Sequence, residues 1–180
     1  MDFNFSAKTG YLWKELPFID RIKMAKRHAF SSLEFHDEPH KENLAGLKNL
    51  LSEIELNVNG MNARMGDTFG CAAIPDQSDK ARNEIKEAII IAEDLGAKAL
   101  HILSGVTEYN NTSISTYISN LNFALDNSKI SILIEPVCEE QLSGYFLRTI
   151  DQAAAIIDKI NHPRLKIMFD CYHIYRESGD

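Results

Sequence analysis

The alternation of short apolar segments with amphipathic segments is the feature that most constrains the fold of this chain. Runs typical of β-strands occupy residues 3–6, 32–36, 56–62, 98–103, 131–135 and 165–170. Between them, apolar residues recur at helical spacing within 18–29, 44–54, 81–95, 114–125 and 153–160. Strands that alternate with helices predict a parallel sheet whose neighbouring strands are joined by helical crossovers.

Local signals mark some of the helix ends. Pro17 suits the first turn of the first helix, and Gly96 is placed to end the third. Thr149 and Gln152 have the spacing of a capping box at the start of the fifth helix. The residues from Cys171 to Asp180 are interpreted as a short tail.

Two architectures fit this order of elements, an open doubly wound sheet and a (β/α)8 barrel. A complete barrel usually needs about 250 residues, and the chain has 180. Spacing alone therefore favours the open sheet. No linker, low-complexity tract or block of charge divides the sequence, so residues 1–180 are expected to form a single domain.

Charge and composition exclude several classes of protein. The chain has 19 Lys and Arg against 26 Asp and Glu, a net charge of −7, which disfavours nucleic acid as a partner. No apolar run approaches the roughly 20 residues that span a bilayer, and no secretory signal begins the chain. The three cysteines are widely spaced, which indicates reduced thiols. We expect a soluble cytoplasmic protein with no membrane partner. The sequence allows a homo-oligomer but does not decide the oligomeric state.

Polar residues stand at the carboxyl ends of the predicted strands, where α/β proteins gather their ligand-binding groups. Asn62 ends the third strand, His101 lies on the fourth, Glu135 ends the fifth and Asp170 ends the sixth. His173 follows shortly after the sixth strand. These five residues are the candidate site.

Two of them, Glu135 and Asp170, would end neighbouring strands and converge on one point. Carboxylates at the ends of apolar strands are costly unless they are paired or bind a cation. Pro136 ends the fifth strand and fixes Glu135 at the rim. Oxygen and imidazole ligands together suit Mg, Mn, Co or Zn. The alternatives are that Glu135 accepts hydrogen bonds from the next loop, that Asp170 caps the following turn, and that each histidine is a core or surface residue.

Three further features have both a structural and a functional interpretation. Glu34 is expected to form a structural ion pair. Trp13 is either a pocket wall or a loop anchor. The segment 145–147, Tyr-Phe-Leu after Gly144, is interpreted as a loop anchor, with a lid over a small ligand as the alternative.

The segments 134–136 (Ile-Glu-Pro), 143–149 (Ser-Gly-Tyr-Phe-Leu-Arg-Thr) and 170–173 (Asp-Cys-Tyr-His) resemble the hydroxypyruvate isomerase family. Segments 5–7, 33–35 and 100–105 agree with the same family in the same order. The family belongs to the xylose-isomerase-like TIM barrel superfamily. The resemblance therefore implies an α/β fold, a (β/α)8 barrel with about six of its eight βα units in this chain.

The resemblance also implies an activity, the interconversion of hydroxypyruvate and 2-hydroxy-3-oxopropanoate (tartronate semialdehyde). Glu135 matches a glutamate that binds a divalent metal and shuttles the proton, and Asp170 matches a second metal ligand. His173 matches a histidine that contacts substrate oxygens. His101 and Asn62 are predicted to bind substrate beside it.

The chemistry of such a reaction is consistent with these residue types. Moving a carbonyl to the neighbouring carbon requires a proton to leave one carbon and return to the next, through an enediolate. A divalent cation stabilises the negative charge of the enediolate. A carboxylate near the carbon serves as base and then as acid.

In the family, strands seven and eight carry two further metal ligands, including a second glutamate. Those strands would follow Asp180, so we expect a C-terminally incomplete barrel with unpaired edges at strands one and six. The 180-residue chain alone is then expected to be poorly stable, to associate or to be inactive. The alternatives are a ketose 3-epimerase of the same superfamily and a non-catalytic barrel fragment that acts as an interaction module. An endonuclease IV type is disfavoured, because it needs more histidines and a basic surface.

Overall fold

The computed structural model describes residues 5–179, which form one parallel sheet flanked by helices. The six strands pair in sequence order, each parallel to the next. They are β1 (Ser6–Lys8), β2 (Ser32–Phe35), β3 (Asn57–Asn62), β4 (Ala99–His101), β5 (Ser131–Ile134) and β6 (Leu165–Ile167).

A helix follows every strand, and two short 3-10 helices, Glu38–Lys41 and Pro75–Gln77, lie in the connections. The α-helices are α1 (Phe18–Arg27), α2 (Leu44–Glu53), α3 (Ser78–Asp94), α4 (Asn111–Asn127), α5 (Ile150–Ile160) and α6 (Cys171–Ser178). The sequential strand order is that of a TIM barrel. A doubly wound sheet reverses its strand order, so the open-sheet expectation is wrong. β1 and β6 are the two edges of the sheet within residues 5–179.

The core lies between the sheet and the helices. α3 buries a stripe of six residues against it: Ala81, Ile85, Ala88, Ile89, Ile91 and Ala92. The sheet contributes fully buried side chains such as Leu33, Leu100 and Ile132. Each such aliphatic side chain stabilises the fold by about 1.5–3 kcal/mol relative to an exposed one. This layer holds the strand ends rigidly in place.

The inner face of β1–β3 is polar rather than apolar. The Ser6 and Ser32 hydroxyls lie 2.8 Å apart, and the Asn59 amide donates to both, at 2.5 and 3.0 Å. One layer nearer the carboxyl ends, Lys8 Nζ lies 2.6 Å from Glu34 Oε1. This ion pair confirms the structural interpretation of Glu34. The polar inner face also explains why Asn and Ser interrupt the apolar pattern of these strands.

Several element boundaries differ from the expectation. The strand expected at 3–6 begins at Ser6 instead, and Phe3 and Asn4 lie outside the described residues. α1 ends at Arg27, and Ala29 is an exposed residue with φ +59° rather than part of the buried stripe. A left-handed residue of this kind ends a helix.

The sixth strand and the supposed tail are the larger corrections. β6 ends at Ile167, three residues before Asp170, and the tail is the helix α6. Asp170 Oδ1 accepts from the Tyr172 and His173 amides, at 2.8 and 3.3 Å, and so begins α6. Gly179, at φ +80°, ends it. The apolar pattern of residues 165–169 therefore does not extend the strand to Asp170, because the side chain of this residue caps α6.

Other local expectations are confirmed. Thr149 and Gln152 form the capping box of α5. Cys71, Cys138 and Cys171 are free thiols. Within residues 5–179, no helix combines the length and the apolar character that crossing a bilayer requires.

Candidate functional site

A cavity opens at the carboxyl ends of the strands, with about 430 Å³ of empty volume that includes open solvent. Its lining comes from β1, β3, α6 and the segments that follow β1 to β5. The lining residues are Lys8, Tyr11, His36, Asn62, Met65, Phe69, Leu103, Glu135, Val137, Gln141, Leu142, Tyr145 and His173. Glu135, Asn62 and His173, three of the five residues predicted from the sequence, are among them.

Glu135 follows the last residue of β5 and is held there by Pro136. Its side chain is 12% exposed, and no described residue donates a hydrogen bond to its carboxylate. Burial raises the pKa of Glu135 to about 7; the Lys8 cation opposes this rise, and the Asp170 and Glu34 charges add to it. A buried carboxylate without a donor is costly, and a cation or a proton removes the cost.

Asp170 lies at the sheet edge, in the loop between β6 and α6. One of its oxygens caps α6, so the capping alternative is confirmed for Oδ1. Oδ2 is not part of the cap and lies 4.0 Å from His173 Nε2. The cap therefore orients the carboxylate and leaves one oxygen available to a ligand.

Glu135, Asp170 and His173 form one cluster. Each offers a ligand atom, and these atoms all lie within 4.8 Å of one another. The two carboxylates therefore do face a common point, as predicted, although Asp170 lies in the loop after β6 rather than on the strand. Two carboxylate oxygens and an imidazole nitrogen are a donor set that a divalent cation accepts.

His101 and Asn62 lie on the neighbouring strands, with His101 behind the cavity wall. His101 is 1% exposed, and its Nδ1 lies 3.2 Å from Asn62 Oδ1 and 3.7 Å from Glu135 Oε2. Because an amide oxygen only accepts, Nδ1 carries the hydrogen. Burial lowers the pKa of His101 to about 3, so the ring is neutral. Asn62 lines the cavity, whereas His101 contacts the two residues that do.

His173 projects from α6 into the cavity. It is the buried residue of this helix, and Cys138 Sγ lies 3.4 Å from its Nδ1. Burial lowers the pKa of His173, with Asp170 opposing the shift. A neutral ring with Nδ1 facing a thiol presents Nε2 toward Asp170, as a ligand or a hydrogen-bonding group.

The sequence predicts His36 as a polar residue at the end of the second strand but assigns none of Lys8, Tyr11 and His36 to the site. Lys8 is on the same strand face as Ser6, and its register partner is Glu34. The Tyr11 ring meets the His36 ring edge-on, with centroids 5.0 Å apart. The period-two pattern of residues 6–8 is the signal that identifies Lys8 as inward-facing, once the strand is placed there.

The remaining alternatives are settled by contacts. Tyr145, Phe146 and Leu147 are all buried, and the Tyr145 hydroxyl accepts from the Ser104 amide at 3.0 Å. This segment is an anchor rather than a lid. Trp13 stacks on His28, with centroids 5.5 Å apart, and is a loop anchor outside the cavity lining.

Comparison with known proteins agrees with this architecture. Residues 22–180 match the family model described as xylose isomerase-like TIM barrel. A crystal structure of an AP endonuclease, family 2, from Brucella melitensis superposes with a TM-score of 0.92 at 27% identity. That match covers 98% of this chain and 72% of the other.

Two curated relatives are similar over nearly the whole chain. The 2-oxo-tetronate isomerase of Cupriavidus necator is 30% identical, over 98% of this chain and 71% of its own length. The hydroxypyruvate isomerase of Escherichia coli is 31% identical, over 98% of this chain and 72% of its own length. The chain therefore belongs to the xylose isomerase-like TIM barrel family and, as a relative of these enzymes, is an isomerase.

Proposed function

We propose that this isomerase interconverts hydroxypyruvate and 2-hydroxy-3-oxopropanoate by transferring a proton between neighbouring carbons. One observation carries the proposal. Glu135 is buried without a hydrogen-bond donor from the described residues, and atoms of Asp170 and His173 lie within 4.8 Å of its ligand atom. A carboxylate held in this way is suited to exchange a proton with a bound substrate.

Glu135 is the proposed base and acid. It takes a proton from the hydroxyl-bearing C3 of hydroxypyruvate, which leaves an enediolate, and returns a proton to C2. The C3 hydroxyl proton passes to the C2 oxygen, so that C3 becomes the aldehyde and C2 the hydroxyl-bearing carbon. Burial raises the pKa of Glu135 to about 7 in the metal-free chain, and a bound cation would lower it, because a positive charge favours the carboxylate. The carboxylate is the form that takes the proton from C3.

The cluster is also the proposed metal site. Glu135 and Asp170 would hold a divalent cation, with His173 beside them and with Mg, Mn, Co and Zn as the candidates. When bound, the cation supplies Lewis-acid stabilisation of the enediolate charge. The structure supports this assignment through the unsatisfied Glu135 carboxylate and the free Asp170 oxygen.

Asn62 and His173 are the proposed substrate-binding groups, since both line the cavity beside Glu135. The Asn62 amide oxygen accepts from His101, which fixes the plane of the amide. His101 is predicted from the sequence to bind substrate. Its position favours a positioning contribution, because its Nδ1 meets Asn62 and Glu135 rather than the cavity.

The proposed function is tested with the purified protein. We expect turnover of hydroxypyruvate, followed by proton NMR, to stop with EDTA and to return with Mn²⁺ or Mg²⁺. In D2O, the C3 protons of hydroxypyruvate should exchange with solvent. A protein that binds Mn²⁺ yet leaves these protons untouched would contradict the proposal.

A second substrate follows from the relative in Cupriavidus necator, whose name gives 2-oxo-tetronate as its substrate. This compound has the same 2-oxo acid group and one more hydroxylated carbon. The same residues would move the same proton. Comparing kcat/KM for the two acids decides which is preferred.

A further inference from the structure

Lys8 brings a positive charge into the cavity from the edge strand β1. Its side chain is 24% exposed and lines the same cavity as Glu135 and His173. Of the described lining residues, it is the one with a permanent positive charge. The others are neutral at pH 7 or acidic, since burial lowers the pKa of His36 to about 4 and also lowers that of His173.

The Lys8 ammonium is fixed from the side by Glu34. The two residues are register partners on β1 and β2, and Nζ lies 2.6 Å from Glu34 Oε1. Burial acts to lower the pKa of Lys8, but the attraction of Glu34 and Glu135 outweighs it, so the net shift is upward. The ammonium stays charged.

The ammonium also has donors to spare. An ammonium carries three N–H groups, and Glu34 is the single acceptor that it meets among residues 5–179. The Tyr11 ring lies beside it, with Nζ 5.6 Å from the centroid. Glu34 is absent from the cavity lining, whereas Lys8 is part of it.

We propose that Lys8 binds the carboxylate of the substrate and makes the site selective for 2-oxo acids over neutral ketoses. This inference rests on the proposed function and adds its specificity-determining residue. A substrate carboxylate in this cavity is repelled by Glu135, which lines it, and by the neighbouring Asp170 charge. A fixed, charged ammonium with free donors offsets that repulsion through charge-assisted hydrogen bonds.

The test compares hydroxypyruvate with dihydroxyacetone, which has a hydroxymethyl group where the acid has its carboxylate. We expect Lys8→Met to raise KM for hydroxypyruvate roughly 10- to 100-fold, the range typical of a charge-assisted hydrogen bond. The kcat should change little, because the contact is equal in ground and transition states. The KM for dihydroxyacetone should not rise.

Two further variants exclude trivial explanations. Lys8→Met with Glu34→Gln removes both charges of the pair, and should reproduce the effect of the single change. Lys159→Met removes an exposed lysine of α5 and should leave both KM values unchanged. Thermal melting of each variant reports folding. Equal rises in KM for both substrates, or none, would overturn the assignment of Lys8.

A binding measurement separates this inference from the proposed reaction. D-glycerate carries the carboxylate but not the carbonyl, so it is bound and not isomerised. Calorimetry should show D-glycerate binding that weakens roughly 10- to 100-fold in Lys8→Met. If hydroxypyruvate is not turned over but D-glycerate binding is weaker in Lys8→Met, the proposed reaction is wrong and the assignment of Lys8 as a carboxylate-binding residue is supported. Equal D-glycerate affinity in both proteins overturns the carboxylate site.

Discussion

The two carboxylates of the candidate site are positioned by different means. Glu135 stands at the end of an interior strand, with β4 on one side and β6 on the other, and is 12% exposed. Asp170 stands beyond the edge strand, is 39% exposed, and owes its orientation to the cap of α6. Tertiary packing determines the first position, and a local hydrogen-bonding motif determines the second.

The difference extends to the groups around each carboxylate. Behind Glu135 lies the fully buried pair of His101 and Asn62. Beside Asp170 lies His173, on the helix α6, which also carries the exposed side chains of Tyr172 and Tyr175. We call the β5 side, where Glu135 is buried, the dry side, and the β6 side, where Asp170 is open to solvent, the wet side.

The largest expected effect is on the dry side. Replacing Glu135 by Gln removes the proposed base while keeping its shape, and should lower kcat for hydroxypyruvate about 1000-fold. The metal-free variant should also be more stable than the wild type at pH 8, because the folded chain no longer buries an unpaired charge. Steady-state kinetics and urea unfolding measure the two effects.

The matched control is Glu53→Gln on the exposed face of α2, which should alter neither quantity. If Glu135→Gln keeps wild-type activity, Glu135 is not the base and acid of the reaction, and the burial of its carboxylate has no catalytic role.

A smaller effect is expected from the histidine behind Glu135. Burial lowers the pKa of His101 to about 3 in the folded chain, against about 6.5 when unfolded. Between these values the unfolded state binds the extra proton, so His101 makes unfolding easier as the pH falls from 6.5 toward 3. His101→Gln should remove up to about 3 kcal/mol of the pH dependence of unfolding between pH 6.5 and 4.5.

The free energies of unfolding of the wild type and His101→Gln are measured with urea, in EDTA, at both of these pH values. His173→Gln is the comparison from the wet side, and it should change the pH dependence less, since that ring is less buried. If His173→Gln changes the pH dependence of unfolding more than His101→Gln does, the β6 side is the one that shifts protonation more strongly, contrary to this prediction.

The smallest expected effects are at Asp170, and they separate its two functions. Asparagine is as good a helix cap as aspartate, so Asp170→Asn should leave stability unchanged and lower Mn²⁺ affinity about 10-fold. Asp170→Ala should lose the metal affinity and also about 1 kcal/mol of stability. Calorimetric titration measures the Mn²⁺ affinity of both variants, and urea unfolding measures their stability. Undiminished Mn²⁺ affinity in Asp170→Asn would mean that the carboxylate is only a cap.

The interior of the site was predictable from sequence because it depends on strong local signals. A continuous apolar run followed by Glu135 and Pro136 defines a strand end, and the position of that end in a parallel sheet places the carboxylate at the rim. His101 and Asn62 are found by the same logic. The capping box of α5 depends on two residues of one helix turn.

The periphery was harder to predict because its signals compete or act over long distances. Residues 165–169 have a strand pattern, yet the Asp170 cap begins a helix directly after them. The inward orientation of Lys8 depends on the pairing of Ser6 with Ser32, residues that are 26 positions apart. A one-residue shift of β1 would turn Lys8 away from the cavity.

The anchored segment at 145–147 constrains how the cavity exchanges its contents. The Phe146 amide donates to the Gly105 carbonyl at 3.0 Å, and the Tyr145 hydroxyl accepts from the Ser104 amide. The wall beside Glu135 is thereby tied to the segment after β4 by the Tyr145 hydroxyl and by a backbone hydrogen bond that no side-chain rotation releases. We therefore expect small molecules to enter past Tyr11 and Phe69, two lining residues that are exposed to solvent.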